Sequence, residues 1–439
     1  MFKAIENTLD QKESRRSFQV FTLGCRVNQY ESAKWTEELE KLGWVLAGRE
    51  NGLEEASLDL VIINSCSVTE AAFKSSCRQA RQLLKKQPGA KMVITGCALQ
   101  SDPEFFESLG PEIRLVPNLE KEHLVELLFP ASPKPAKTLG SFKGHTRAWI
   151  KVQDGCDSFC SYCIVPFTRG RSRSRSFQEV LNEVALLASN GYLEVVLTGI
   201  NLGVYFSEGK KLSDLIESLA LKVPALKRIR LSSLEPEAFA FDPKLEAVLA
   251  GNARAAPWLH LVLQSGSDRI LNKMGRKYRA ADFIRLVERL EAKRPGFTFS
   301  TDLICGFPSE TEADFAKSLA VIEKLGFIKV HLFPFSLRKK TAAAKMDGLV
   351  AAKEINRRLK QAQVMAQKAA FLKRNRFLQQ ELEVLVEEGG EFARSANFLL
   401  VKLLSKAKKN QLFIVKIVQN TQEHLIGRIV QEKRPLGCR

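Results

Sequence analysis

A chain of 439 residues is longer than one hydrophobic core usually spans, so its length predicts two or three domains. Its content of 45% hydrophobic and 26% charged residues excludes a largely disordered protein, and no stretch approaches the ~18 to 20 uncharged apolar residues of a membrane helix. The net charge of +18 favours a polyanionic partner such as nucleic acid, with a solvated basic surface as the alternative. The first residues lack the apolar core of a signal peptide, so we expect a cytoplasmic protein with no membrane partner.

The first predicted domain, residues 16–130, alternates strand-like apolar runs with helical segments, which is typical of a parallel α/β domain. The runs are SFQVFTLG, LDLVIINS, AKMVITG and IRLVPN. The first three end at Cys25, Cys66 and Cys97, and the carboxyl ends of parallel strands share one edge of a sheet. These thiols can therefore meet beside helix N-termini, which favour negative charge, although spacing alone also fits ordinary buried cysteines.

A linker rich in Pro, Gly, Ser and Lys is predicted at residues 129–146, and a second domain at 142–378. Six apolar runs separated by helical stretches predict an incomplete parallel (β/α)6 barrel with its site at the carboxyl ends of the strands. A long helix is predicted from about Ala351 to Leu382. Residues 379–437 then carry short alternating runs that predict a small antiparallel β-barrel, so the fold class is α/β with an appended β domain.

A cysteine triplet follows the first predicted barrel strand, with Cys156, Cys160 and Cys163 in the spacing C-x3-C-x2-C. Three thiolates on one short loop can hold a four-iron cluster and leave one iron free to bind another molecule, which makes them the candidate catalytic centre. The alternative is structural zinc. That site needs four closed ligands, and His145, the nearest of only five histidines, lies in the predicted linker.

This triplet, with Tyr162 before its last cysteine, resembles the defining motif of the radical S-adenosylmethionine (SAM) superfamily. The resemblance implies that the open iron binds the amino and carboxylate groups of S-adenosylmethionine. It also implies that an electron from a low-potential donor then generates a 5′-deoxyadenosyl radical. Tyr162 would flank the adenine, with simple packing as its alternative role.

The turns GCRVNQYES, NSCSVT and ITGCA resemble the N-terminal domain of the methylthiotransferase family, with Ala98 as a departure after Cys97. This resemblance implies a second 4Fe-4S cluster on Cys25, Cys66 and Cys97, which carries the sulfur that becomes the methylthio group. Within the family, GCRVNQYES and NSCSVTEAAFKSSCRQARQ resemble the branch acting on threonylcarbamoyladenosine beside the tRNA anticodon. Branches acting on isopentenyladenosine or on a ribosomal-protein aspartate remain open, as does a non-enzymatic iron-sulfur electron carrier with an RNA-binding module. The sulfur source is unknown.

Polar and glycine residues follow the predicted barrel strands, where they would contact the ribose, carboxylate and amino groups of S-adenosylmethionine. The predicted cofactor-binding residues are Thr198, Gly199, Asn201, Ser232, Glu235, Gln264, Asp302 and Gly306. Three cysteines have no partner at ligand spacing and are predicted to bind no iron: Cys77, Cys305 and Cys438.

Basic residues beside the second triplet and in the last domain predict contacts with RNA phosphates, with a solvated basic loop as the alternative. These residues are Arg169, Arg171, Arg173, Arg175, Lys406, Lys408 and Lys409. The last domain resembles the RNA-binding TRAM domain, with Asn397, Phe398 and Gly427 at matching places. The resemblance implies a tRNA substrate.

Overall fold

A computed structural model describes residues 16–48, 58–132 and 138–433 of the chain. They form an N-terminal parallel sheet, a central partial barrel and a C-terminal closed β-barrel, as the sequence predicted. In these ranges no helix has the length and apolar character needed to cross a lipid bilayer. The prediction for Cys438 falls outside the described residues.

The N-terminal sheet has five parallel strands in the order β2-β1-β3-β4-β5. The strands are β1 (Ser17–Thr22), β2 (Val45–Leu46), β3 (Leu60–Ser65), β4 (Lys91–Gly96) and β5 (Arg114–Leu115). The helices are α1 (Arg26–Lys41), α2 (Glu70–Lys86), α3 (Cys97–Ser101), α4 (Pro103–Glu107) and α5 (Leu124–Leu128), with a short 3-10 turn at Lys121–His123. Every residue of β3 is buried because helices cover both faces of the sheet, which explains its unbroken apolar pattern. The four predicted runs are confirmed, and the two-residue edge strand β2 was missed.

The central barrel is built from two sheets with the orders β12-β9-β6 and β13-β14-β15-β16. Its strands and associated hairpins are β6 (Ala148–Lys151), β7 (Gln153–Asp154), β8 (Arg173–Ser174), β9 (Glu194–Thr198), β10 (Phe206–Ser207), β11 (Lys210–Lys211), β12 (Arg228–Leu231), β13 (Ser233–Leu234), β14 (Trp258–Leu261), β15 (Thr298–Cys305) and β16 (Lys329–Pro334). The strands are parallel around the barrel, and no pairing joins β6 to β16 in the described ranges. The barrel is therefore partial, as predicted.

Helices cover the outside of this barrel. They are α6 (Val165–Arg169), α7 (Phe177–Ser189), α8 (Leu212–Lys222), α9 (Ala238–Phe241), α10 (Leu245–Gly251), α11 (Asp268–Lys273), α12 (Ala280–Lys293), α13 (Glu312–Leu325) and α14 (Ala352–Asn375), with 3-10 turns at Leu202–Val204 and Ala342–Lys345. The predicted long helix is confirmed as α14 but ends seven residues early, at Asn375 instead of Leu382. Phe377 is buried in the core of the C-terminal barrel and Gln379 has a φ of +64°, so the chain leaves the helix there.

The C-terminal barrel closes in the order β17-β18-β19-β21-β20. Its strands are β17 (Glu381–Val386), β18 (Phe392–Ser395), β19 (Leu400–Leu403), β20 (Leu412–Asn420) and β21 (Leu425–Lys433). Gly427 allows close packing inside it, because a Cβ there would lie 2.2 Å from Cγ1 of Val415. The predicted small barrel is confirmed, although the β19–β21 pair is parallel.

The turn between β18 and β19 forms the floor of the central barrel. Phe398 stacks on Trp258 at the start of β14, with ring centroids 4.1 Å apart. Arg230 donates to the carbonyl of Ala396 at 3.0 Å, and Asn397 donates through its side chain to the carbonyl of Gly296 at 3.1 Å. The C-terminal domain thus seals the amino ends of the strands, opposite the edge at which the second cysteine triplet lies.

Candidate functional site

Three cysteines of the N-terminal sheet stand in neighbouring turns at the carboxyl ends of β1, β3 and β4. Cys25 directly precedes α1, Cys66 directly follows β3, and Cys97 is the first residue of α3. Because β3 pairs in parallel with both β1 and β4, the three turns lie along one edge. Cys66 and Cys97 are buried and Cys25 is half-buried. We call these three residues the N-terminal triad.

Close approach at this edge requires glycine. Gly24 has a φ of +94°, and a Cβ on it would lie only 2.5 Å from the sulfur of Cys66. Gly96 has a φ of +100°, and a Cβ there would lie 2.4 Å from the carbonyl oxygen of Ser65. Both residues stand immediately before a triad cysteine, so the Gly-Cys pairs of the sequence reflect both a backbone conformation and a lack of space.

Asparagine and serine side chains fix the three turns, and sequence reasoning missed them. Asn28 donates to the carbonyls of Leu23 at 2.8 Å and of Ser65 at 3.1 Å, which ties the first turn to the second. Ser67 donates to the carbonyl of Cys97 at 3.0 Å, which ties the second turn to the third. The repeated Asn and Ser residues around the cysteines were the available signal.

The second set of cysteines lies on the loop between β7 and α6. Cys156 and Cys160 are buried and Cys163 is half-buried. Gly155 has a φ of +69°, and a Cβ there would lie 2.0 Å from the carbonyl oxygen of Arg171, so this loop packs tightly on the segment between α6 and β8. The amide of Cys156 donates to the carbonyl of Gly170 at 3.1 Å. We call Cys156, Cys160 and Cys163 the barrel triad.

The chemistry of both triads fits an iron-sulfur cluster better than single ions. Burial raises the pKa of the Cys66 and Cys163 thiols to about 12 and that of Cys160 to about 11, so these thiols are neutral unless a metal replaces the proton. Within residues 16–48, 58–132 and 138–433, no three His, Cys, Asp or Glu side chains converge to hold one metal ion. Ligands of a cluster bind different irons, so they need not converge as zinc ligands do.

Most of the predicted cofactor residues lie at or just after the carboxyl ends of the barrel strands, and Asn201 contacts the barrel triad. The side-chain nitrogen of Asn201 lies 3.8 Å from the sulfur of Cys156, and the amide of Gly199, after Thr198, lies 3.4 Å from the hydroxyl of Ser232. Gln264 has a φ of +64°, and its buried Oε1 has no hydrogen-bond partner in the described part of the chain. An unpaired buried acceptor is costly, so a donor such as the amino group of a bound cofactor fits there.

Tyr162 and Glu235 are held by a residue that sequence reasoning missed. Arg276, after α11, forms an ion pair with Glu235 and donates to the hydroxyl of Tyr162 at 2.7 Å. The ring of Tyr162 meets that of Phe307 edge-on, with centroids 6.4 Å apart. The side chain of Tyr162, next to Cys163, is therefore held by the hydrogen bond from Arg276 on one side and by the ring of Phe307 on the other.

Two predicted cofactor residues have other partners. Asp302 of β15 lies 3.1 Å from Nε2 of His260. The amide of Gly306 donates to the carboxylate of Glu310 at 2.7 Å, and a Cβ on Gly306 would lie 2.4 Å from the side chain of Ile355 in α14. The contact with Ile355 alone is enough to require glycine at residue 306.

Known proteins share both halves of this arrangement. Residues 150–322 match the family model described as the radical SAM superfamily, and residues 17–117 match the uncharacterized protein family UPF0004. The threonylcarbamoyladenosine tRNA methylthiotransferase MtaB of Chlamydia pneumoniae is 41% identical over 95% of this chain and 99% of its own length.

The chain belongs to the radical SAM methylthiotransferase family.

Other relatives of this methylthiotransferase align with most of the chain. The protein of the same name from Thermotoga maritima is 38% identical over 85% of this chain and 87% of its own. A tRNA-2-methylthio-N(6)-dimethylallyladenosine synthase of Cereibacter sphaeroides is 34% identical over 86% and 88%. The radical SAM methyltransferase TsrM of Kitasatospora setae has a similar fold, with a TM-score of 0.54 at 18% identity over 75% of this chain and 77% of that one. Membership indicates an iron-sulfur cluster and S-adenosylmethionine as cofactors.

Arg169 was predicted to bind RNA phosphate, and its position in the methylthiotransferase contradicts that prediction. Its side chain is 1% exposed and lies between the two domains. It donates to Asp154 at 2.8 Å and to Asn28, and its Nη2 lies 3.9 Å from the sulfur of Cys25. Burial would lower the pKa of this guanidinium, but the surrounding Cys97, Glu31, Asp154 and Cys25 raise it well above its usual value. Nothing in the local sequence distinguishes this buried arginine from its exposed neighbours.

The position of Arg175 also contradicts the predicted contact with an RNA phosphate. Its side chain is 13% exposed and pairs with Glu183 at 2.6 Å and with the hydroxyl of Tyr30 at 2.8 Å. Arg171 and Arg173, by contrast, are 77% and 44% exposed, so both remain available to a phosphate. The strand β8 covers only Arg173–Ser174, and residues two apart in a strand share a face, so strand alternation does not explain the difference. Arg169 and Arg175 instead pair with the buried carboxylates of Asp154 and Glu183.

The three lysines predicted to contact RNA lie on an exposed loop between β19 and β20. Lys406 pairs with Glu391 at 3.0 Å and Lys409 with Glu388 at 3.1 Å, and both lysine side chains are more than half exposed. Lys408 is exposed as well. Surface pairs of this kind are weak, so they leave the lysines free to exchange a carboxylate for a phosphate.

Proposed function

We propose that this methylthiotransferase adds a methylthio group to carbon 2 of N6-threonylcarbamoyladenosine at position 37 of tRNA. The observation that carries the proposal is the presence of two cysteine triads, joined through Arg169, in a chain that aligns with a threonylcarbamoyladenosine tRNA methylthiotransferase over 95% of its length. The Thermotoga maritima relative, which has the same name, supports the same substrate.

We assign one 4Fe-4S cluster to each triad. Cys25, Cys66 and Cys97 would hold the first, and Cys156, Cys160 and Cys163 the second, each with three thiolates and one open iron. When bound, the clusters and S-adenosylmethionine would supply the sulfur, the methyl group and the radical that removes hydrogen from carbon 2. A radical is required because no side-chain base removes such a C–H proton at neutral pH.

The residues of the chain bind and shield this chemistry. Asn201 supports Cys156, Arg276 fixes Tyr162 beside the barrel triad, and the unpaired Oε1 of Gln264 offers an acceptor to the cofactor amino group. The floor formed around Phe398 keeps water from the amino end of the barrel. The remaining predicted cofactor contacts are those of Thr198, Gly199, Ser232, Glu235, Asp302 and Gly306.

The tRNA would bind across the outward arginines Arg171 and Arg173 and the loop with Lys406, Lys408 and Lys409. We place the domain limits at residues 16–130, 142–378 and 379–437, with the last as a TRAM-like RNA-binding domain. A low-potential electron donor and a cytoplasmic location complete the proposal.

The test uses a bacterial host deleted for its own tRNA methylthiotransferases. Wild-type chain should restore the methylthio group on threonylcarbamoyladenosine, as measured by mass spectrometry of tRNA nucleosides. Cys66→Ala and Cys160→Ala should each abolish it, because each removes one cluster ligand. Cys77→Ser, in helix α2 and outside both triads, is the control and should retain both product and iron.

Three outcomes would contradict parts of the proposal. A methylthio group on isopentenyladenosine instead would move the substrate to the branch represented by the Cereibacter sphaeroides relative. Unchanged nucleosides with a methylthiolated ribosomal protein would remove tRNA as the substrate. Failure of reduced protein to convert S-adenosylmethionine to 5′-deoxyadenosine would leave only an electron carrier.

A further inference from the structure

A buried set of charged side chains joins the N-terminal domain to the central barrel. Glu31 of α1 lies 2.6 Å from Lys121 and 3.2 Å from Lys151. Arg169 lies 2.8 Å from Asp154 and 3.5 Å from Glu31. All five side chains are less than a tenth exposed. We call them the interdomain charge cluster.

The interdomain charge cluster carries more positive than negative charge. It contains three cations and two carboxylates, and Arg173 adds a further, half-exposed cation 3.3 Å from Asp154. An unbalanced charge away from water is costly unless an anion faces it. Both carboxylates are already paired with cations of this cluster. Burial would raise the pKa of Glu31, but Lys121, Lys151 and Arg169 lower it to about 2.

The N-terminal triad faces the open side of this cluster, where an iron-sulfur cluster bound by its thiolates would supply the anion. The Nη2 of Arg169 lies 3.9 Å from the sulfur of Cys25, and its Nη1 turns away to Asp154. Asn28 accepts a hydrogen bond from the same Nη2 and closes the first turn, so Arg169 contacts both the triad and its frame. Asn118, from the turn before Lys121, lies 3.8 Å from the sulfur of Cys97 and donates to the carbonyl of Thr168.

Arg169 comes from the other domain. It is the last residue of α6, six residues after Cys163 of the barrel triad, yet its guanidinium lies at the N-terminal triad. A short helix therefore links the ligands of one proposed cluster to the charge environment of the other. Lysine could supply the charge but not the fork that contacts Asp154, Asn28 and Cys25 together.

We propose that Arg169 is a positioning residue that docks the N-terminal cluster on the barrel and raises the reduction potential of that cluster. The inference rests on the proposed function, because it assumes a cluster on the N-terminal triad. A fixed positive charge beside a cluster ligand stabilises the reduced, more negative form. Replacing Arg169 therefore changes the N-terminal cluster selectively, while the barrel cluster keeps its own ligands and partners.

The experiment isolates the N-terminal cluster. A full-length chain with Cys156→Ala, Cys160→Ala and Cys163→Ala is reconstituted, and its iron, sulfide and midpoint potential are measured by redox titration with electron paramagnetic resonance. Adding Arg169→Gln should shift the potential lower, and Arg169→Lys should shift it less because the charge remains. Arg171→Gln is the control, since Arg171 stands on the same loop but is 77% exposed.

A second readout uses the chain with both triads intact. Arg169→Gln should still form 5′-deoxyadenosine from S-adenosylmethionine, at a rate within about twofold of wild type, but should form less methylthio product per 5′-deoxyadenosine. Partial recovery of that ratio in Arg169→Lys supports the charge role. If Arg169→Gln instead lost both clusters and unfolded at lower temperature, with Arg169→Lys behaving alike, Arg169 would be a structural residue only and the proposal would be wrong.

Two further results separate this proposal from the function it rests on. An intact N-terminal cluster whose potential is the same with arginine, lysine or glutamine would overturn the role of Arg169 and leave the proposed function standing. A triple-cysteine variant that binds no iron, in a chain whose wild type binds one cluster, would overturn both.

Discussion

Gly24 shows how the absence of one side chain makes room for the sulfur of a neighbouring cysteine. Its φ of +94° disfavours other residues, and a Cβ would lie 2.5 Å from the sulfur of Cys66. Gly43 has a similar φ of +82° but nothing within 4 Å of its Cβ position, so the two glycines separate backbone strain from crowding.

We expect Gly24→Ala to lose the N-terminal cluster, because the added methyl group displaces the Cys66 sulfur. Iron should fall from about eight to about four atoms per chain, and 5′-deoxyadenosine formation at the barrel triad should persist. Gly43→Ala should lose no iron, although the strain costs about 1 kcal/mol of stability. Iron and sulfide analysis of anaerobically reconstituted proteins measures both, and a full iron content in Gly24→Ala would show that the turn can move aside.

The sequence indicated the six triad cysteines because strand ends and spacing are readable from local pattern. It misplaced Arg169 and Arg175, since burial of a charged side chain depends on partners that lie far along the chain, such as Asp154 and Glu183. Arg276, which holds Tyr162, was missed for the same reason. Local pattern identifies ligands, whereas tertiary packing decides which charges stay in water.

At the scale of elements, the first residue of β9 anchors the C-terminal barrel. Glu194 is fully buried and lies 2.9 Å from Arg228 and 2.8 Å from Arg230. Arg228 in turn lies 2.7 Å from Glu383 of β17. Burial would raise the pKa of Glu194, but Arg230, Arg228 and Arg147 lower it from 4.5 to about 2. Its carboxylate therefore stabilises the folded chain above about pH 4.5, and this contribution is lost as the pH falls towards 2.

Glu194→Gln should destabilise the contact between the two barrels at pH 7, because it leaves buried arginines without their carboxylate. Breaking such a pair costs about 3 to 5 kcal/mol, so the thermal midpoint should fall by several degrees. The difference from wild type should shrink between pH 4.5 and 2, where wild-type Glu194 gains a proton. Calorimetry on metal-free chains measures this without acid loss of clusters, and an equal difference at every pH would refute the electrostatic cause.

The elements themselves were largely predictable. Apolar runs predicted β1, β3, β4 and the barrel strands, and in β3 and β4 burial on both faces makes the pattern almost continuous. The two-residue strand β2 and the short β18 carry no such signal. The end of α14 was missed because Phe377 packs into the core of the C-terminal barrel. The helix sequence contains no local signal for this long-range contact.

At the scale of the whole molecule, the charge of +18 predicts tRNA binding that weakens with salt. Replacing Lys406, Lys408 and Lys409 by alanine should reduce the slope of log Kd against log salt by about 2 to 3. Replacing Lys222, Lys244 and Lys293, which are exposed at the ends of helices around the barrel, should leave the slope unchanged. Fluorescence anisotropy between low and moderate salt measures it, and equal slopes for the two variants would exclude the loop as a phosphate contact.

The floor around Phe398 has a consequence for synthesis of the chain. The cysteines of both triads leave the ribosome well before residues 395–399, which close the bottom of the central barrel. A chain that ended before residue 395 would keep both cysteine triads but leave Trp258 and Arg230 open to solvent. Sealing of the amino ends of the barrel strands therefore depends on residues that are synthesised after all six triad cysteines.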